Sequence, residues 1–438
     1  MSLPPAALRA QRLDRLRERV RPDTSRTSEQ QVDGSAAADP SPRAGNRLST
    51  RGSTRAATLA RVLGGHVVAG ASGSITIVET RTRLPADLIR LRELPDPIDP
   101  DHPIICLDTE TTGLGTAAGT LPFLVALGRW QGDEFVVRQL LLPDHPDEPA
   151  LLEVLEQHLP RDASLVSYNG RAFDWPLIAS RYRLHGRPPP VHAAHLDLLG
   201  VARQVWRHRL PDARLSSVEA GICGVVRHDD LPGALIPERY FGWLRTGRAE
   251  LFTDVLEHNR QDVISLALLL RVLAHEVLPE RHGSGDSRSV APRDLAGLGR
   301  LYARRGRAAD ALACFDQALE RLSTPWQDRE LQSAVAADRA RALGRLGRRA
   351  EAASAWEAVA LDGGPFAPTA WIAVAKSLEH AARDPAGALV AARRADTLAF
   401  RLRFLGQPQP DVERDLVRRL PRLIRLARAR APGSAPAA

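Results

Sequence analysis

The chain has 438 residues, 44% of them hydrophobic and 26% charged, which is enough to bury two or three cores. No run of about eighteen apolar residues occurs, so no membrane span is expected. The three cysteines (Cys106, Cys223 and Cys314) are too far apart for a metal-type spacing and fit a reducing cytoplasm. The formal charge of +8 favours polyanionic partners.

The basic excess sits in two arms. Residues 1–60 carry eleven Arg against six acids, and residues 401–430 carry nine against three. Lys376 is the only lysine, and an Ala- and Arg-rich, Lys-poor composition reflects GC-rich coding more than phosphate binding. No apolar signal core opens the chain. Ala6–Val20 reads as a short helix, and Pro22–Thr58, rich in Ser, Gly, Pro and Arg, reads as disordered. His66–Ala69 and Ser74–Val78 form a hairpin pattern, and Leu94–Pro103 reads as a linker.

From Ile104 the pattern becomes α/β. Strands are expected at Ile104–Glu110, Phe123–Trp130, Glu134–Leu142, Ala163–Tyr168 and His195–Leu198. Helices are expected at Glu148–Leu159 and Asp174–His185, with further helical segments up to Val277. A Gly- and Ser-rich linker covers His282–Pro292. Beyond it Leu298, Gly299, Tyr302, Gly306, Ala311, Phe315 and Ala318 fall at the offsets of a tetratricopeptide helix pair. Weaker copies follow around Leu343–Val359 and Trp371–Ala395, and three units suffice to bury a continuous core.

Asp108 and Glu110 lie two apart at the end of a buried strand, so they share a face, repel each other and pay for desolvation. Oxygen coordination of a hard divalent cation relieves both effects. Asp174 opens a helix, where an acid is ordinarily a cap. His258 and Asp262 are four apart on a helix, where a surface ion pair is the usual reading. Four carboxylates and one histidine, each at the edge of an apolar element, make a single ordered series.

That series resembles the DnaQ-like (DEDD) exonucleases of the ribonuclease-H fold. Leu107-Asp108-Thr109-Glu110-Thr111-Thr112-Gly113 is similar to their first motif, and Asn169–Asp174 to their second. Asp197-Leu198-Leu199, Leu215-Ser216-Ser217-Val218-Glu219 and His258-Asn259-Arg260-Gln261-Asp262 resemble the YprB-like branch, also called mitomycin repair factor B, whose members carry C-terminal tetratricopeptide repeats. The wider group has His five residues, or Tyr four residues, before the last Asp. Here His is at the four-residue spacing.

The resemblance implies an α/β ribonuclease-H-like exonuclease domain with a mixed sheet flanked by helices, followed by an all-α repeat domain. The expected divisions are a basic disordered arm (1–58), a hairpin and linker (59–100), the exonuclease domain (101–280), a linker (281–292), repeats (293–430) and a disordered tail (431–438). It also implies two Mg²⁺ or Mn²⁺ ions about 4 Å apart, clamping the attacking and leaving oxygens of a phosphodiester. Asp108, Glu110, Asp174 and Asp262 would hold them, with His258 as the base for the attacking water. Thr111, Thr112, Gly113 and Leu114 would contact the terminal nucleotide, with Asn169 near the strand. The implied activity is 3′–5′ trimming of DNA in repair, the alternatives being an exoribonuclease or a non-catalytic adaptor. A protein partner, by family context a helicase, would dock on the repeats, and because every ligand precedes the linker the repeats would be dispensable for chemistry. His192 and His195 lack partners for a zinc set, Asp197 reads as a partner of backbone groups, and Trp206 and Trp243 read as buried rather than stacked on bases.

Overall fold

The computed structural model describes residues 44–86, 88–113, 119–227, 230–278, 290–322 and 328–429. Helix α1 (Ala44–Leu63) leads into strands β1 (His66–Gly70) and β2 (Gly73–Arg83). Strands β3 (Ile104–Thr111), β4 (Pro122–Gln131) and β5 (Glu134–Leu141) form a meander. Helix α2 (Glu148–His158), β6 (Ser164–Ser167), α3 (Asp174–Leu184) and β7 (Ala194–Asp197) follow. Next come α4 (Leu198–Val205), the single turn α5 (Leu215–Val218), α6 (Ile236–Thr246) and α7 (Thr253–Val272).

The seven strands form one sheet in the order β1-β2-β5-β4-β3-β6-β7. β3 is where the sheet changes character: it pairs antiparallel with β4 on one side and parallel with β6 on the other. The carboxyl ends of β3 and β6 therefore point the same way, at the kind of switch point where α/β sheets open a crevice. Strand alternation divides the core. Cys106, Ala126 and Val166 pack with Val263 and Leu266 of α7, whereas Ile105, Leu107, Val125 and Leu165 pack with Leu151 of α2 and Ile178 of α3. Gly128 on β4 lets α7 come close, since a Cβ there would lie 2.4 Å from Val263 and from the Phe135 ring. No helix among the described residues is long and apolar enough to cross a membrane.

Three boundaries differ from the sequence-based expectation. The region expected to be disordered through residue 58 contains the start of α1, whose last turns bury Ala56, Leu59 and Ala60 and whose Arg55 pairs with Asp144 at 2.7 Å. Residues 1–43, with the predicted Ala6–Val20 helix, lie outside the described residues. The hairpin is not a separate unit, because β2 pairs with β5 over Thr76–Arg83 and completes the sheet. The Leu94–Pro103 segment is anchored: Leu94 and Ile98 are buried, and the Tyr302 hydroxyl donates to the Glu93 carbonyl at 2.6 Å.

The C-terminal region is all helical, with α8 (Pro292–Arg304), α9 (Ala308–Arg321), α10 (Arg329–Arg345), α11 (Arg349–Asp362), α12 (Ala367–His380), α13 (Pro385–Phe404) and α14 (Pro410–Ala429). Each helix packs on the next, and α8 also packs on α4. Leu295, Leu298 and Tyr302 share a core with Val201, Val205 and Trp206, so the C-terminal helices are fused to the α/β domain rather than tethered to it. Most of the predicted linker, residues 279–289, lies outside the described residues. Asp294 is buried at this junction and accepts from Arg209 at 2.7 Å. Ending the chain before Pro292 would uncover the apolar face of α4.

Gly297 is the point of closest approach, since a Cβ there would lie 2.4 Å from the Gln204 carbonyl oxygen. Helix propensity alone makes Gly297→Ala stabilising by about 1 kcal/mol. With α8 seated on α4 the substitution should instead destabilise by roughly 1–3 kcal/mol, as over-packing does. Thermal unfolding of the variant decides the sign.

Candidate functional site

Three elements deliver the acids to one place. Asp108 and Glu110 leave β3 on the face that packs against α7, Asp174 is the first residue of α3, and Asp262 lies mid-way along α7. Each of the three aspartates has one oxygen held by a fixed donor. Asn259 Nδ2 donates to Asp108 Oδ2 at 2.7 Å, the Thr109 hydroxyl to Asp174 Oδ1, and Arg227 Nη2 to Asp262 Oδ1. Asn259 is fully buried and is itself fixed by Gln139 of β5, whose Nε2 donates to Asn259 Oδ1 at 2.9 Å and to the Leu256 carbonyl at 2.8 Å. A chain of hydrogen bonds thus runs from the middle of the sheet to the first carboxylate.

The acids oppose one another's ionisation. Burial pushes Asp108 well above the ordinary carboxyl range, and the charges of Asp262, Asp174 and Glu110 push it further, against the Asn259 hydrogen bond. Glu110 is raised well above its usual value by burial and then by Asp262, Asp174 and Asp230. Asp174 rises to about 6, chiefly through burial and against the Thr109 hydrogen bond. Asp262 is raised by burial, with Arg227 and His258 pulling the other way. Among the described residues no three acids, histidines or cysteines close around a single point as they stand. What the four carboxylates share is a buried set of hard oxygen donors with one guanidinium, Arg227, paired to Asp262, and that chemistry fits a divalent cation such as Mg²⁺ or Mn²⁺.

His258 faces the same place. Its Nε2 lies 3.7 Å from Asp262 Oδ2 and 4.0 Å from Glu110 Oε1, while Nδ1 is 2.7 Å from Asp230 Oδ1. The four-residue spacing therefore puts the ring on the Asp262 face of α7, as helical geometry requires.

Thr111, Thr112 and Gly113 continue from β3 beside the acids. The Thr111 hydroxyl donates to the Gly113 carbonyl at 2.7 Å, and the Thr112 hydroxyl accepts from the Leu121 amide at 3.1 Å, so both threonines shape this turn. Leu114 lies outside the described residues. Asn169 has φ 67° in the turn between β6 and α3, and its amide donates to Asp197 Oδ1 at 2.8 Å. Asp197 also accepts from the Arg171 and Leu199 amides, as a partner of backbone groups does.

Some residues escape sequence reasoning. Arg227 and Asp230 lie beside Asp262 and His258 but come from a loop without periodicity, whereas Glu219, which anchors Arg227, closes the Leu215–Glu219 motif. Gly170 is required by the turn: a Cβ there would meet Ser167 Oγ at 2.5 Å and Asp174 Oδ2 at 3.1 Å. His195 Nε2 sits 2.7 Å from Ser167 Oγ, and His192 packs edge-on against Trp175. Trp206 and Trp243 are fully buried.

With this geometry in place, residues 105–274 match the model of the RNase_H superfamily. That segment runs from β3 through α7 and includes all four acids, so the part of the chain that carries the site is similar to RNase H-superfamily domains. Over 177 residues the chain is 40% identical to the uncharacterized protein YprB of Bacillus subtilis (strain 168). The match covers 40% of this chain and 43% of YprB, less than half of each. A solved complex of ExoI with SSB-Ct is 12% identical, with a TM-score of 0.24 over 68% of this chain and 98% of that one. The zinc-bound Escherichia coli ExoI–ssDNA complex is 13% identical, with a TM-score of 0.25 over 68% of this chain and 99% of that one. These scores are too low to establish a shared fold.

The raised acids make the fold pH-sensitive. An unfolded Asp releases its proton near 3.8 and folded Asp174 near 6, so across that window the unfolded chain binds fewer protons and stability falls as pH rises. Without divalent cations, Asp174→Asn should stabilise the protein at pH 7.5 by up to ~3 kcal/mol, with the gain vanishing near pH 3.5. Thermal melts in chelator at the two pH values test this.

Proposed function

We propose that this protein is a metal-dependent exonuclease that hydrolyses phosphodiester bonds of DNA from the 3′ end, with repair as its setting and the cytoplasm as its location. The observation that carries the reading is the convergence of Asp108, Glu110, Asp174 and Asp262, four buried carboxylates whose proton affinities are all raised. The 3′ polarity, the DNA substrate and the repair setting follow from the resemblance to DEDD exonucleases.

In this reading the four acids would hold two Mg²⁺ or Mn²⁺ ions, which when bound supply Lewis-acid stabilisation of the charge that develops on the phosphate. The residues themselves perform the remaining tasks. Asn259, Thr109 and Arg227 keep three of the carboxylates in fixed orientations. His258, with Nδ1 engaged by Asp230, directs Nε2 toward the acids and takes the proton of the attacking water there. Thr111, Thr112, Gly113 and Leu114 border the terminal nucleotide, and Asn169 borders the strand on the Asp174 side. The C-terminal helices act as tetratricopeptide repeats that present a surface to a protein partner, a helicase in the setting the resemblance implies.

Matched DNA and RNA oligonucleotides labelled at the 5′ end, incubated with Mg²⁺ or Mn²⁺, test the reading. A ladder of DNA products shortened from the 3′ end is expected, and Asp108→Asn and Asp262→Asn should each abolish it while leaving nucleic-acid affinity largely intact, because affinity comes mainly from phosphate contacts to basic groups. Degradation of RNA alone would make the protein an exoribonuclease. Near wild-type turnover in either Asn variant would remove the acids from the chemistry. His258→Ala should slow cleavage by roughly 10²–10⁴-fold, the usual worth of a positioned base.

A further inference from the structure

We infer that Arg227, anchored by Glu219, is the positioning residue of the carboxylate centre, orienting Asp262 directly and His258 through Asp230. The inference rests on reading the four acids as a divalent-cation site. Arg227 is itself nearly buried, its side chain 10% exposed, and Glu219 is fully buried at the start of the turn Glu219–Cys223. The guanidinium grips Glu219 with two nitrogens, Nε at 2.7 Å from Oε2 and Nη2 on Oε1, and the same Nη2 reaches Asp262 Oδ1. Nη1 lies 3.2 Å from Asp230 Oδ2, and the other oxygen of Asp230 is 2.7 Å from His258 Nδ1. One planar fork thus touches three carboxylates, and two of the side chains that define the site depend on where it lies.

A buried Arg–Glu pair is weak support for stability, because the desolvation of two charges offsets most of their attraction. Its geometric consequence is specific. With Oδ1 held, Asp262 turns Oδ2 toward His258, 3.7 Å from Nε2. Asp108 and Asp174 are treated in the same way, each with one oxygen on a fixed donor, Asn259 for one and Thr109 for the other. Arg227 completes the set with the one donor that is charged, and a charge-assisted fork fixes direction better than a neutral donor does. Partners that orient ligand side chains typically contribute 10- to 100-fold in metal affinity.

The pair is neutral, and this allows a clean experiment. The double variant Glu219→Gln/Arg227→Met removes the orienting fork without changing net charge, while the methionine keeps the apolar stem in place. Mn²⁺ and Mg²⁺ binding to full-length protein, measured by calorimetry in the absence of substrate, should weaken by 10- to 100-fold relative to wild type. Arg227→Lys keeps the charge but not the fork, since one ammonium cannot hold Glu219 and Asp262 in the same geometry, and it should weaken binding by at least tenfold. If the double variant does not fold, the lysine variant decides. Wild-type affinity in a folded double variant, or in Arg227→Lys, overturns the positioning role and leaves the four-acid reading standing. Wild-type protein that binds neither ion overturns the cation reading and the inference with it.

Discussion

Like charges repel, and at the end of β3 the fold brings four carboxylates together in a place that also excludes much of the water that would otherwise screen them. Asp108 and Glu110 are raised by burial first and by the charges of Asp262 and Asp174 second. A chain selected for stability alone would have no reason to keep such a cluster, and neutralising one acid should make the fold more stable rather than less. Much of the surrounding structure acts to hold the repulsive arrangement in place. Gln139 and Asn259 fix one carboxylate from the sheet, Thr109 fixes the second, and the Glu219–Arg227 pair fixes the third.

Rigidity of this kind requires close approach between elements. Gly128 admits α7 to the sheet, so that Asn259 and Asp262 reach the end of β3, and Gly170 leaves room for the Asp174 carboxylate beside Ser167. At the far side, Gly297 seats α8 against α4. Helix α8 thereby belongs to the same core as the helices behind the site, with Tyr302 hydrogen-bonded to the backbone of the segment before β3. Anything bound to the C-terminal helices would act on a body continuous with the α/β domain.

Much of this was legible in the sequence. The strands from Ile104 to Leu142 and the helices beginning at Glu148 and Asp174 announce themselves through apolar runs and helical periodicity, and they fall within a residue or two of expectation. Asp108 and Glu110 stand at the end of an apolar strand and Asp174 at the start of a helix, whereas Asp262, mid-way along α7, is marked by its four-residue spacing from His258. Other features left no such trace. Arg227 and Asp230 lie in a stretch without periodicity, where one arginine among many carries no signal. The polar second half of β2, Thr80-Arg81-Thr82-Arg83, hides its pairing with β5, because an outer strand with solvent-facing residues lacks an apolar run. The start of α1 is concealed by Ser, Gly and Arg, and its burial is confined to the last turns, at Ala56, Leu59 and Ala60. The fused junction was masked by a linker-like composition just before Pro292, although a glycine within a helical pattern, Gly297, is a sign of close approach.

Anomalous diffraction from crystals of the wild-type protein soaked in Mn²⁺ tests the central claim most directly. The account predicts Mn²⁺ peaks among the side chains of Asp108, Glu110, Asp174 and Asp262, with each peak bound by at least two of these carboxylates. Full-occupancy Mn²⁺ elsewhere on the protein, with none among these four acids, would contradict it.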